Sequence, residues 1–191
     1  MKKTGKLQTF GALALLGAGL LVAGCKSAPE LTQADALSMI QAKYDQSPGV
    51  TTDIVVNDLG MRQGYTAKYW GEVKKFPNGY WGDFKLTDDA KKVVKLAGGG
   101  DTIEWRPNGP DDSKYVITVT TIATSHPKAR DVRDIQDLGN GKIATYTEAV
   151  NLDALPGPLQ TIAHNPGNQL TTMRHANFVL TNGAWTLQSV Q

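Results

Sequence analysis

The chain has a single cysteine, Cys25, and it stands directly after an uncharged apolar run, Phe10 to Gly24. One thiol cannot form an internal disulfide, so the part that follows must fold by burial alone. Ahead of the run stand Lys2, Lys3 and Lys6. A basic start, a short apolar stretch and small residues at its end mark an export signal, and residues 1–24 therefore stay outside the fold argument. The run is shorter than the roughly 20 apolar residues that a membrane-spanning helix needs.

The run closes in Leu21-Val22-Ala23-Gly24-Cys25. This segment resembles the lipobox of bacterial lipoproteins, in which a hydrophobic residue and two small residues precede the cysteine at the cleavage site. The resemblance implies that Cys25 becomes the first residue, carrying a diacylglycerol thioether on sulfur and an acyl chain on nitrogen. Several acyl chains give stable anchoring where one does not. The resemblance implies no other cofactor. Cys25 is followed by Lys26 and Ser27 rather than aspartate, and by the sorting rule of such lipoproteins this favours the outer membrane over the inner one, facing the periplasm. Residues 25–30 then form a lipidated tether and residues 31–191 a single globular body.

Composition narrows the body further. Removing the signal takes three of the 20 basic residues and none of the 18 acidic ones. A nearly neutral body remains, and net charge offers no reason to propose nucleic acid as a partner. Hydrophobic residues make up 40% of the chain, enough for a core and too many for full-length disorder. A collagen-like repeat, a disulfide-stapled miniprotein and a four-cysteine zinc module are excluded.

Thr32 is a good N-cap with Asp35 in the following turn, and the apolar residues after it predict a helix over about 33–46, stopped by Ser47-Pro48-Gly49. Thr51–Val56 reads as a short strand. Residues 59–73 suit a helix or an edge strand equally. Phe76-Pro77-Asn78-Gly79-Tyr80 is a turn signal, and Trp81–Leu86 alternates as a strand. Thr87 caps a second helix, expected to run to Ala97 and end at Gly98-Gly99-Gly100. Strands are then predicted at 102–106, 114–124, 132–138 and 143–152. Asp153–Gly167, with Pro156, Pro158 and Pro166, reads as an irregular insertion holding a short helix near 159–163. The last hairpin is 170–180 and 184–190 about Asn182-Gly183, the strongest short-range signal in the chain.

Helices and short strands followed by an antiparallel meander define an α+β class. The closing Gly183-Ala184-Trp185-Thr186-Leu187 is similar to the last strand of nuclear-transport-factor-like and cystatin-like domains. That resemblance implies a cone-shaped α+β fold completed by a curved meander. Trp185 is expected to anchor this strand from the core, so that Trp185→Ala costs about 3–5 kcal/mol, the range for a buried aromatic.

No motif joins a nucleophile to a base. The serines lie outside any Gly-x-Ser-x-Gly, no phosphate-binding loop is present, and the histidines are His126, His164 and His175. His164, His175 and Asp153 are the one set that the insertion can bring together around a metal, and Asp111-Asp112 the one calcium-like pair. Polar loops explain both more simply, and no metal is expected. Seven aromatics from Tyr65 to Phe84 crowd one segment. They either build core or line a binding surface, for which Tyr69, Trp70, Tyr80 and Trp81 are the candidates.

The function expected is that of a membrane-anchored, non-catalytic module that binds an envelope protein, peptidoglycan or a small ligand, or supports an envelope assembly. The alternatives are a small-pocket enzyme or ligand carrier, with His175, Asp134 and Glu148 as catalytic candidates, and a spacer without a ligand. Cys25→Ser is expected to abolish lipidation and move the chain from the detergent phase to the aqueous phase on phase partitioning. Unchanged partitioning would refute the anchor.

Overall fold

The computed structural model describes residues 29–75, 82–105 and 117–191. Cys25, the turn at 76–80, Tyr80, Trp81 and the Asp111-Asp112 pair lie outside these residues. The fold is α+β, with helices and short strands first and an antiparallel meander last.

Helix α1 (Gln33–Asp45) begins as its sequence dictates: the Thr32 hydroxyl accepts from the Asp35 amide at 3.1 Å. Ala36, Ile40 and Tyr44, one turn apart, are its buried stripe. They pack on one face of the meander β7 (Lys128–Asp137), β8 (Gly141–Ala149), β9 (Thr171–Thr181) and β10 (Ala184–Val190), hydrogen-bonded in the order β10-β9-β8-β7. Val132, Ala144, Tyr146, Ala176 and Phe178 meet the helix there. Asn182 and Gly183 have φ of 53° and 78°. Two consecutive positive values make the type I′ turn that suits the twist of a hairpin.

The second core lies between two three-stranded sheets. One is β1 (Asp53–Val56), β6 (Ile117–Thr121) and β4 (Val94–Leu96), ordered β1-β6-β4. The other is β2 (Trp70–Lys75), β3 (Gly82–Leu86) and β5 (Thr102–Trp105), ordered β2-β3-β5. Helices α2 (Asp58–Thr66) and α4 (Gly157–Ala163) close it with Met61, Leu159 and Ile162. The chain enters this core after α1, leaves it for β7 and β8, returns with α4 and leaves again for β9. The two cores therefore interleave in sequence.

Three expectations change. The second helix is a single turn, α3 (Asp88–Lys91), capped by Thr87 as read, and Val94–Leu96 continues as strand β4. Val93 and Val94 are β-branched, and pairing Val94 with Thr121 and Leu96 with Val119 outweighs local helix preference. Residues 59–73 take up both alternatives in turn, α2 from its second residue on and then the first four residues of β2, with Lys68 at φ 62° at the corner. Trp185 is only half-buried. Its ring packs at the rim of the helix–meander core, and Nε1 donates to the Pro29 carbonyl at 2.6 Å.

Trp70 has the central position that was expected of Trp185. It is 2% exposed, and a Cβ built on Gly64 would stand 1.9 Å from its Nε1. Glycine is therefore required on α2 for the indole to enter. Gly64→Ala is expected to cost about 1–3 kcal/mol by overpacking. Trp185→Ala should cost about 1–2 kcal/mol rather than 3–5, because the ring sits at the rim of the core and is partly wetted already. Urea unfolding of both variants checks the pair, with the shift read from the midpoint at unchanged slope.

Candidate functional site

Helix α2 supplies one wall of a largely apolar cleft. Asn57 starts the helix by accepting from the Gly60 amide at 2.9 Å, and the Arg62 Nε bonds Asp58 Oδ2 at 2.9 Å one turn on. Asp58, Met61, Arg62 and Tyr65 follow the helical repeat and so share one face. Opposite them, Phe84 on β3 pairs with Glu72 on β2 and with Ile103 on β5, and Trp105 pairs with Gly82. These residues enclose a volume of about 210 Å³.

The floor is Met61, Phe84 and Trp105, all nearly buried. Tyr65 forms the exposed lip, its ring edge-on to Phe84 with centroids 6.0 Å apart and planes at 78°. Its hydroxyl donates to Glu72 Oε2 at 3.4 Å. Asp58 Oδ1 is buried and accepts no hydrogen bond among the described residues. The cleft thus presents aromatic rings below and, above them, the Glu72 carboxylate and the Asp58–Arg62 ion pair. That is the composition of a small-molecule binding site: an apolar body for area, and a few polar groups to orient it.

The aromatic candidates named from sequence meet different fates. Trp70 is corrected: its ring belongs to the core, with Nε1 3.4 Å from the Gly60 carbonyl, and no face is left for a ligand. Tyr69 is half-buried and packs against Trp70 with centroids 6.4 Å apart. Tyr80 and Trp81 lie outside the described residues. Tyr65 and Phe84 come from the same aromatic crowd and do line the cleft. Trp105 and the Asp58/Arg62 pair were missed. The pair had a signal, opposite charges four apart, whereas Trp105 reaches the cleft only through the β3–β5 pairing.

The three catalytic candidates separate. Asp134, Thr145 and His175 form one row across β7, β8 and β9, with Thr145 Oγ1 3.1 Å from His175 Nδ1. Glu148 lies on the other face of β8, among α1 side chains. There the Tyr44 hydroxyl donates to Glu148 Oε2 at 2.5 Å, Tyr146 lies 2.5 Å from Tyr44, and Arg174 Nη2 reaches Glu148 Oε1 at 3.3 Å. His126 is half-buried, its Nδ1 bonded to the Tyr44 carbonyl at 2.9 Å. His164 bonds the Gln160 carbonyl at 2.7 Å and Asp153 pairs with Lys128, so neither meets His175. Among the described residues no three His, Cys, Asp or Glu side chains are grouped to hold a metal. Among them also, no helix is long and apolar enough to cross a membrane.

Compared with protein families, curated proteins and solved structures, the chain matches none. The likeness of the closing meander to cone-shaped domains accordingly remains one of pattern.

Burial, then the bonds to Glu148 and Tyr146, holds the Tyr44 phenol far above its ordinary 10.0. Burial raises Tyr146 as well. In the unfolded chain both phenols ionise near pH 10, while the folded protein keeps their protons. Folding stability is therefore fully present below about pH 10 and falls as pH rises above it. Tyr44→Phe should cost about 1.5–3 kcal/mol at neutral pH, the range for a hydrogen bond to a charged group. It should also flatten the alkaline decline. Urea unfolding between pH 7 and 11.5 checks both effects.

Proposed function

We propose that the protein is a lipid-anchored, envelope-facing binding module that takes a small amphipathic ligand in the α2/β2–β3–β5 cleft. The observation that carries this reading is the cleft's composition: the rings of Tyr65, Phe84 and Trp105 with the Glu72 carboxylate and the Asp58–Arg62 ion pair at their edge, one negative charge in excess. An ammonium or another donor-rich head bound to a flat apolar body satisfies both parts. The rings attract a cation through their quadrupoles. Glu72, whose carboxylate stands at the Tyr65 lip, is the acceptor open to such a head, while Asp58 is held by Arg62. The anchor is carried by the lipobox-like segment ending at Cys25, and it places the module in the envelope, with the outer membrane favoured by Lys26 and Ser27.

Titration with benzylammonium, benzyl alcohol and benzoate separates head-group charge from ring burial. The ammonium is expected to bind tightest. Glu72→Gln should weaken it by up to about fivefold, the effect of one exposed charge pair, and leave benzyl alcohol unaffected. Tyr65→Ala should weaken both. Equal binding of benzoate, or no binding of any of the three, would overturn the assignment.

A further inference from the structure

The first described residue, Pro29, is fastened to the end of the meander. Its carbonyl takes the Trp185 indole N–H at 2.6 Å, and Leu31, two residues on, is 3% exposed in the helix–meander core. Between Pro29 and Cys25 lie only Lys26, Ser27 and Ala28. Four residue steps span at most about 14 Å even when fully extended. β8 alone, from Gly141 to Ala149, spans roughly 25–30 Å. A chain acylated at Cys25 can therefore bring only one end of the meander to the lipid.

That end has a particular surface. The β7–β8 and β9–β10 turns both lie there, because Gly141 pairs with Val179 and Ala184 with Thr181. Leu138, next to the first turn, is 56% exposed, and Leu180, which pairs with Trp185, is 36% exposed. Lys142 Nζ stands 5.6 Å from the centre of the Trp185 ring and 2.7 Å from Asp137 Oδ1. Exposed leucines beside an amphipathic indole and a long-stemmed lysine are the residue types that settle at a membrane–water boundary. The opposite end of the meander faces the second core. Val50 bridges Ser125 there, Val150 donates to the Leu170 carbonyl, and Ser125 Oγ donates to the Asn151 carbonyl.

We infer that the protein docks end-on on a lipid surface, with Leu138, Leu180 and Trp185 at headgroup level, and that the Trp185–Pro29 bond sets this orientation. The six-stranded core, which carries the α2 cleft, then lies toward the end of the meander away from the membrane. The inference rests on acylation of Cys25, and its test keeps the two apart.

The full chain, expressed in a lipoprotein-processing bacterium, is purified in detergent and its N-terminus weighed by mass spectrometry. It is then reconstituted into phosphatidylcholine vesicles whose acyl chains carry bromine close to the headgroup. Part of the tryptophan emission is expected to be quenched relative to unbrominated vesicles. Trp185→Phe should abolish the quenchable part. Leu138→Asp, at an exposed turn that no core depends on, should diminish it while the protein still floats with the vesicles. An acylated, vesicle-bound protein with no bromine-dependent quenching, or with quenching that persists in Trp185→Phe, overturns the docking. A chain found without acyl groups overturns the anchor itself, and the docking with it.

Discussion

Two apolar cores share one chain without a disulfide, and the path of the chain between them is the constraint on which the rest depends. Helix α1 and the strands it covers are separated by the whole six-stranded part, and α4 leaves the meander to close the other core before β9 returns. Each core is therefore completed by segments distant in sequence. Within the helix–meander core, polar bonds add specificity. Gln41 accepts from the Ala129 amide and donates to the Pro127 carbonyl, and His126 holds the end of α1. Such bonds fix the start of β7 on the helix, where apolar burial alone would allow sliding.

Within the six-stranded core, Trp70 and Gly64 set the position of α2. The indole occupies the space that a side chain on α2 would otherwise fill, so helix and sheet approach closely at this point. Another face of the same helix, Asp58, Met61, Arg62 and Tyr65, lines the cleft, with Tyr65 at its lip. A core contact and the wall of a cleft are thus produced by nearby residues of one aromatic-rich segment. Composition could not separate the two roles, because a buried and an exposed aromatic carry the same local signal.

Much of the fold was legible in the residues. The Thr32 and Thr87 caps, the alternation of Phe84 and Leu86, the Asn182-Gly183 turn and the strands of the meander are all local patterns whose physics acts within a few residues. What failed was non-local. Val94–Leu96 left the helical pattern because β6 offered it a partner. Trp185 looked like a core residue because its strand alternates, yet it lies at the sheet's end, at the rim of the core beside Pro29 and Lys142. Glu148, Asp134 and His175 were grouped from their residue types, and strand register put Glu148 on the other face of the sheet from the His175 row.

The sequence by itself determined the α+β class, the caps and turns, and the short span between Cys25 and the folded body. These depend on residue type and spacing along one chain. Only the tertiary structure decided which aromatic became core, which became lip, and where Trp105 joins Tyr65. It also decided that Pro29 meets the meander at Trp185, opposite Leu180. Those outcomes are set by strand pairing and by close approach between segments far apart in sequence, and no local periodicity records which distant neighbour a side chain will meet.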